Sequence, residues 1–344
     1  MRAYFIRRLL LIPPTLLGIS IIVFGITRLA PGGPLERAIM EAQMASAGGE
    51  LGSGGGSGIG GGSMAISEEQ IQALKEYYGL DKPIWQAYLI WLGNIIRGDF
   101  GDSFRYSEPV WDLIRDRFPI SLFYGITTLV ITYAVCLPLG IVKAIKHRTH
   151  IDNWTSIIVF AGYAIPGYAL GAILLLFFAA RLEWFPMGGF TSYDFEDLSW
   201  AGKILDLFHH GTLPLICYLV GSFAVTTLLM KNNLMENLAA DYVRTAVAKG
   251  VSFKQAVLKH ALRNSLIPVA TTFGQNITLL VSGSFLIETI FDIDGFGLLG
   301  FRAVLEVDFN VVMGTVMLSS FLLLFGNILS DVLVALIDPR IRFE

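Results

Sequence analysis

The sequence predicts an all-α integral membrane protein, and two features of its composition lead to that fold class. Of the 344 residues, 54% are hydrophobic and only 15% are charged, whereas about 25% of the residues in a typical soluble domain are charged. The apolar residues also fall in long blocks, and a helix needs about 20 of them to cross the ~30 Å hydrocarbon layer. The chain is therefore predicted to cross a membrane several times.

Six blocks are long enough to be transmembrane helices. They cover residues 9–30, 118–142, 154–180, 212–230, 265–290 and 311–337. Arg2, Arg7 and Arg8 precede the first block, as in a secretory signal. That block is longer than a signal core and has no small-residue cleavage site after it, so we expect a retained membrane anchor.

Lysine and arginine concentrate in alternate connections between the blocks, and this asymmetry predicts the orientation of the chain. Basic residues precede the first block, lie within 143–148 and 231–263, and follow the sixth block. The remaining connections are net acidic, with carboxylates such as Asp194 and Asp292. Because basic residues favour the cytoplasmic side, both termini are expected to be cytoplasmic.

The first external connection, residues 31–117, is the longest and contains a stretch rich in glycine and serine at 48–63. Such a stretch is expected to be a flexible coil, and its GxGxxG spacing lacks the strand that a nucleotide site requires. Ser67–Gln70 is typical of a capping box that opens a short helix. Residues 85–104 mix aromatic and aliphatic side chains and predict a helix at the membrane interface.

The sequence has no GxxxxGK[ST] loop and no histidine or cysteine cluster with metal-ligand spacing. Cys136 and Cys217 both fall inside predicted spans and give no disulfide signal. The chain is therefore not predicted to be an enzyme or to bind a cofactor or metal itself. Energy for uphill transport would come from an ion gradient or from a separate subunit.

A polar segment separates the fourth and fifth blocks. Leu238–Lys249 fits a short helix with a narrow face of small apolar side chains, and Gly250 is suited to end it in the left-handed conformation. Ser252–Gln255 is typical of a capping box that starts the next helix. A helix of this kind fits a groove on a partner protein or rests on anionic lipid, and its residues alone leave both interpretations open.

The order of residues in this segment resembles the EAA loop of ABC importer permeases, in the variant of the dipeptide and oligopeptide group. The resemblance rests on Tyr242-Val-Arg244-Thr-Ala246-x-Ala-Lys-Gly250 and His260-Ala-x-Arg263-Asn264-x-x-Ile267-Pro268. Further matching motifs follow the family order: Arg7-Arg8-Leu-Leu, Ala30-Pro-Gly-Gly-Pro34, Gly98-Asp-Phe-Gly-Asp-Ser103, Arg117-Phe-Pro119, Glu288-Thr-Ile-Phe291, Gly295-Phe-Gly297 and Asp338-Pro-Arg340. Two departures, Gly33 in place of a frequent Asp and the 48–63 stretch, lie outside the predicted spans.

The resemblance implies a type I ABC importer permease fold with six transmembrane helices, in the bacterial inner membrane. It divides the chain into a first span (1–30), a periplasmic loop (31–117), a core (118–337) that includes a coupling loop (231–264), and a tail (338–344). The residues implied to contact the ATPase are Asp241, Tyr242, Arg244, Thr245, Ala246, Lys249 and Gly250.

The resemblance also implies the partners of the chain. They are a homologous second permease, two ABC ATPase subunits or one fused ATPase, a periplasmic substrate-binding protein and membrane lipid, with no nucleic acid. ATP and Mg²⁺ would be held by the ATPase subunits, and peptides or peptide-like substrates would be transported. The acidic external residues, including Asp292 and Asp294, would dock the binding protein or form a solvated loop.

The fifth block has a polar face that is a candidate for the translocation path. Thr271, Gln275, Thr278 and Ser282 recur at helical spacing. In lipid such side chains line a water-filled path or bond to neighbouring helices. We expect them to line the path, because this helix does so in related permeases, with interhelical bonding as the alternative. In the third block, Tyr163, Pro166 and Tyr168 either line the same path or kink the helix, and we expect the kink.

Glu288 and Asp331 are the acidic residues nearest to membrane depth. A secondary transporter or channel, the alternative function, would need such groups well buried for ion coupling. Both lie near predicted span ends, so we expect solvent to surround them there. A membrane scaffold without transport is a third possibility, and the polar face of the fifth block disfavours it.

Overall fold

The computed structural model describes residues 2–29, 72, 81–281 and 283–338, which are helical apart from short connections and one isolated β-bridge between Asp102 and Pro109. The glycine-rich stretch 48–63, the capping box at Ser67–Gln70 and the tail beyond Asp338 lie outside the described residues. The helices are α1 (Arg2–Leu29), α2 (Ile84–Ile96), α3 (Val110–Ile145), α4 (His150–Ala164), α5 (Gly167–Leu174, continued as a π-helix over Leu175–Arg181), α6 (Trp200–Ala239), α7 (Asp241–Ala248), α8 (Phe253–Ala256, continued as a π-helix over Val257–Ala261), α9 (Leu262–Val281), α10 (Phe285–Ile290), α11 (Phe296–Leu305) and α12 (Phe309–Ile337).

Four helices within the described part of the chain are long and apolar enough to cross a membrane: α1, α3, α6 and α12. Helices α4 and α5 satisfy the same test only together, as a pair that bends by 91° at its break. The described chain therefore has four such spans, or five if the bent pair is one span. These helices make the protein an all-helical, multi-pass membrane protein.

The bend between α4 and α5 confirms the predicted kink. Ile165 is extended, with φ −96° and ψ 122°, and Pro166 follows it. A proline has no N–H to donate, and its ring disfavours helical geometry at the preceding residue. The chain therefore leaves one helix and starts another at this point.

The predicted fifth span, 265–290, is wrong as a single helix. Helix α9 ends at Val281, and α10 begins at Phe285 after Gly283 in the left-handed region (φ 75°) and an extended Ser284. Helix α9 is also absent from the four helices that pass the length and hydropathy test. Its hydropathy is lowered by polar residues, chiefly Arg263, Asn264, Gln275 and Asn276.

Two helices are much longer than the apolar blocks that revealed them. Helix α3 has 36 residues and α6 has 40. At 1.5 Å per residue, α6 is about 60 Å long, roughly twice the hydrocarbon thickness. Hydropathy detects only the apolar part of such a helix, so the predicted boundaries 118–142 and 212–230 fall short at both ends.

The chain divides into two compact units. The first comprises Met1–Pro13, Arg115–Leu299 and Leu318–Glu344. Its central element is α6, which packs against α4, α5 and α9. One of its apolar clusters contains Tyr124, Leu213, Cys217, Tyr218, Ile287 and Phe291.

The first unit also pairs α1 with α12. Asp331 accepts hydrogen bonds from the Tyr4 hydroxyl (3.0 Å) and forms an ion pair with Arg8 (Nε to Oδ2, 2.6 Å). The expectation that Asp331 is solvated at a helix end is therefore wrong. A carboxylate in an apolar helix is stabilised by a cation within reach, and Arg8 supplies it.

The second unit comprises Pro14–Ile114 and Gly300–Met317. In it, Phe24 of α1 packs against Tyr88 and Trp91 of α2, and Ser20 shares a hydrogen bond of 2.8 Å with the Tyr88 hydroxyl. The 13 residues of α2 are too few to cross a bilayer, and the predicted interfacial helix is confirmed as a helix here.

Helices α9 and α12 touch backbone to backbone at a glycine pair. A Cβ placed on Gly274 would overlap the carbonyl of Gly326, and the Gly274 N–H donates to Ser330 Oγ (2.6 Å). Small residues at such a crossing allow two membrane helices to approach closely. No side chain is available there to move aside, so the crossing requires glycine.

We predict that Gly274→Val destabilises the fold, because overpacking of a tight contact costs roughly 1–3 kcal/mol or more. Gly221→Val is the matched control, since a Cβ on Gly221 of α6 meets no atom within 4 Å. Thermal unfolding in detergent can be followed with a thiol-reactive dye, because Cys136 and Cys217 are both free and buried. Equal unfolding temperatures for the two variants would contradict the prediction.

Candidate functional site

The polar segment between α6 and α9 forms a separate short helix, α7. It was predicted to span Leu238–Lys249, but α6 continues to Ala239 and α7 begins at Asp241. Ala240 lies between them in an extended conformation, with φ −72° and ψ 147°. This one residue breaks the hydrogen-bonding pattern and lets α7 take a direction of its own.

The predicted glycine elbow at the end of α7 is confirmed. Gly250 has φ 91°, in the left-handed region that favours glycine. Its N–H donates to the Val247 carbonyl (2.9 Å), and the Val251 N–H donates to the Ala246 carbonyl (3.1 Å). These bonds satisfy the last carbonyl groups of α7 and turn the chain towards α8.

The capping box predicted at Ser252–Gln255 does not form. Ser252 is at the N-terminal cap of α8, but its side chain makes no capping hydrogen bond. Helix α8 changes after Ala256 to π-helical turns over Val257–Ala261 before α9 begins. Tertiary packing overrides the local preference for a capping box here, because Ala256, Val257 and Ala261 are all buried in the fold.

One side chain anchors α7 in the apolar interior. Val243 is 3% exposed, and it belongs to a cluster built from α3, α6, α8 and α9. The other buried members of this cluster are Ala144, Met230, Leu234, Ala256, Ala261 and Val269. Because these residues come from different helices, α7 is attached to several helices at once.

Tyr242 adds a polar anchor. Its hydroxyl donates to Asn237 Oδ1 of α6 (2.6 Å) and accepts from Asn264 Nδ2 of α9 (3.1 Å). The tyrosine thus links the end of one long helix to the start of the other. Sequence analysis missed both asparagines as partners. The break at Ala240, which brings Tyr242 back to Asn237, has no signal in the sequence, and Asn264 lies 22 positions away.

The opposite face of α7 is exposed. Asp241, Arg244, Thr245, Val247 and Lys249 all lie at the surface, and Ala246 is partly buried among them. Arg244 lies 3.8 Å from Asp241, an exposed ion pair that contributes little to stability. The helix therefore presents charged and small side chains outward while Val243 and Tyr242 hold it in place.

The structure describes only some of the side chains that are predicted to line the translocation path. Thr271 is exposed, and its hydroxyl donates to the Ile267 carbonyl one turn earlier (2.9 Å). Ser282 and the side chains of Gln275 and Thr278 lie outside the described residues. Their neighbour Asn276 donates to the Tyr133 hydroxyl of α3 (3.0 Å), which is the interhelical bonding of the alternative interpretation.

Glu288 is not solvated at a helix end, contrary to expectation. It is fully buried, and its carboxylate accepts hydrogen bonds from the Leu298 N–H (2.5 Å) and Ser121 Oγ (3.2 Å). A Cβ on Gly283 or Gly295 would overlap that carboxylate, so the backbone closes around it at two glycines. Backbone N–H groups can stabilise an enclosed carboxylate without a cation.

The chain is similar to a known protein family and to several known proteins. Residues 136–343 match the family described as "Binding-protein-dependent transport system inner membrane component". Over 100% of its length the chain is 40% identical to the peptidoglycan transport system permease protein YejB of Agrobacterium fabrum, covering 99% of that protein. It is 40% identical to the inner membrane ABC transporter permease protein YejB of Escherichia coli O157:H7 and 35% identical to the oligopeptide transport system permease protein AppB of Bacillus subtilis, with 100% of both chains covered in each case.

The anchor of α7 is testable with two valines of the same helix. Val243→Ala removes buried methyl groups at a cost of about 2 kcal/mol, and each kcal/mol lowers the unfolding temperature by about 1–2 °C in a chain of this length. Val247→Ala is the matched control, because Val247 is 43% exposed. The thiol-reactive dye reports both unfolding temperatures, and an equal loss for both would show that Val243 is not the anchor.

Proposed function

The chain belongs to the family of inner membrane components of binding-protein-dependent transport systems, and from this premise we propose that it carries peptides or peptide-like substrates. It is a multi-pass permease subunit of an ABC importer in the inner membrane. The relatives described above are named for peptidoglycan and oligopeptide transport. Peptidoglycan and oligopeptides both contain peptide bonds, and this supports a peptide as the substrate class of this chain.

The coupling role in this proposal rests on the exposed face of α7. In the proposed complex, α7 is the coupling helix and enters a cleft of an ATPase subunit. Arg244 and Lys249 make charged contacts there, and Ala246 and Gly250 allow a close approach because they are small. Asp241 and Thr245 begin the contacting face, and Tyr242 holds it in position. A helix that contributes contacts from one face alone suits a groove on a partner.

The proposed membrane topology has six transmembrane helices, with α9 as the fifth and both termini in the cytoplasm. Basic residues in the connections that would be cytoplasmic support this orientation. The long loop 31–117 is then periplasmic and the coupling loop 231–264 cytoplasmic, within a core of 118–337. Helix α9, with Thr271, Gln275, Thr278 and Ser282, would line the path once a second permease completes it.

The proposed complex contains this chain, a homologous permease, two ATPase subunits or one fused ATPase, and a periplasmic binding protein. ATP and Mg²⁺ are bound by the ATPase subunits. The alternative, an ion-coupled transporter, would use accessible carboxylates within the membrane. Glu288 is enclosed by backbone and Asp331 is paired with Arg8, so neither is offered to a passing ion.

We predict that Ala246→Asp prevents the ATPase subunits from binding while the permease stays folded. An unpaired charge buried at an interface costs roughly 2–5 kcal/mol, which corresponds to a loss of about 30-fold or more in affinity. The measurement is co-purification in mild detergent after expression with the second permease and the ATPase subunits.

Ala201→Asp is the matched control, because Ala201 is exposed in the first turn of α6, at the end remote from α7. The control should retain the ATPase subunits. If Ala246→Asp retains them equally well and still transports, α7 is not the coupling helix.

A further inference from the structure

A buried ionic cluster lies on α6 close to its junction with α7. Its centre is Asp152, in the first turn of α4, and its two cations are Lys143 of α3 and Lys231 of α6. Asp152 is 3% exposed, Lys143 1% and Lys231 8%. Three ionisable side chains are thus withdrawn together from solvent at one junction of three helices.

The two lysines bind Asp152 in different ways. Lys231 Nζ donates to both carboxylate oxygens, at 2.7 and 2.8 Å. Lys143 Nζ lies 3.1 Å from Oδ1 and also donates to the Asp152 carbonyl, Thr155 Oγ1 and Ser156 Oγ. Lys143 therefore joins the adjacent helices α3 and α4, whereas Lys231 joins α6 to α4.

The turn between α3 and α4 completes the surroundings of the carboxylate. The Arg148 N–H donates to Asp152 Oδ2 (3.1 Å), and His147 Nδ1 lies 3.3 Å from the same oxygen. Asp152 thus keeps partners within its own hairpin even without α6. A buried carboxylate that loses its whole set of partners is strongly destabilising, and this arrangement avoids that outcome when only Lys231 is removed.

The same helical segments also hold α7. Ala144 and Met230, the sequence neighbours of Lys143 and Lys231, belong to the apolar cluster that buries Val243. A Cβ on Gly140 would overlap the Met230 side chain and the Thr227 carbonyl, so α3 and α6 are in close contact one turn away. A displacement of α7 therefore moves the part of α6 that Lys231 bonds to α4.

We propose that Asp152 and Lys231 are positioning residues for coupling, which fasten α6 to the α3–α4 hairpin so that a displacement of α7 moves the three helices together. This inference rests on the proposed role of α7 as the coupling helix. Packing alone lets helices slide against each other, whereas two hydrogen bonds to one carboxylate fix a single register. Without them, α7 still binds the ATPase, but its motion is not passed from α6 to α4.

The test compares ATP hydrolysis with substrate uptake in the full complex reconstituted in lipid vesicles, with an oligopeptide as substrate. Lys231→Met should leave the complex assembled, because Asp152 keeps Lys143. The number of peptides transported per ATP hydrolysed should fall about fivefold or more, within the roughly 2- to 30-fold range of mutations that alter coupling between sites. Lys231→Arg keeps the positive charge, and a guanidinium can donate to both oxygens of a carboxylate, so the ratio should stay within about twofold of the native value.

Lys203→Met is the matched control. Lys203 also lies on α6 and pairs with Glu196 (2.8 Å), but that carboxylate is exposed. It should transport with the native ratio. A cluster that only stabilises the fold would lower the amount of complex in Lys231→Met without changing the ratio, and an unchanged ratio overturns the proposal.

Two further variants keep the result decisive. If Lys231→Met does not accumulate, Lys231→Gln replaces it. Its side chain is one atom shorter and uncharged, so it does not reproduce the charged pair of bonds to Asp152, and a native ratio in that variant overturns the proposal. Ala246→Asp, measured alongside, separates the two hypotheses. Loss of ATPase binding in Ala246→Asp with a native ratio in Lys231→Met rejects only the positioning role, whereas retained ATPase in Ala246→Asp rejects the coupling helix itself.

Discussion

Water is excluded both from the hydrocarbon layer and from the packed interior of this protein, and this determines where its charged side chains can lie. A charged side chain among apolar helices must find its partner within the protein. Asp331 meets this requirement with Arg8, Asp152 with two lysines, and Glu288 with backbone N–H groups. For the two aspartates the partners lie on other helices, so neutralising the charge also determines which helices pack together.

Helix α7 has one buried side chain, Val243, and is otherwise exposed apart from the partly buried Ala246. Its outward side chains are charged, and the ion pair between Arg244 and Asp241 is loose and exposed. The buried Val243 and the hydroxyl of the exposed Tyr242 attach it to α6 and α9. A helix built in this way holds a fixed position while its charged face stays available, which is the requirement for a docking element on a membrane protein.

The parts of this fold that depend on local chemistry could be predicted from the sequence, and the parts that depend on distant contacts could not. Hydropathy identified the apolar helices, and the bend at Pro166 and the elbow at Gly250 follow from the backbone preferences of single residues. Ala240 breaks a helix although alanine is the best helix former, because tertiary contacts orient α7. The pairing of Lys231 with Asp152 joins residues 79 positions apart, and no local pattern indicates it.

The length of α6 explains why a charged junction is useful in this protein. This 40-residue helix is followed directly by α7 at one end. A rigid helix moves its neighbours only where it is fixed to them. Small residues such as Gly140 bring the helices close, but a surface of small side chains resists sliding weakly. Directional bonds from Lys231 to both oxygens of Asp152 resist it, and their burial shields them from screening by salt. The ionic cluster therefore supplies the rigidity that close packing alone does not give.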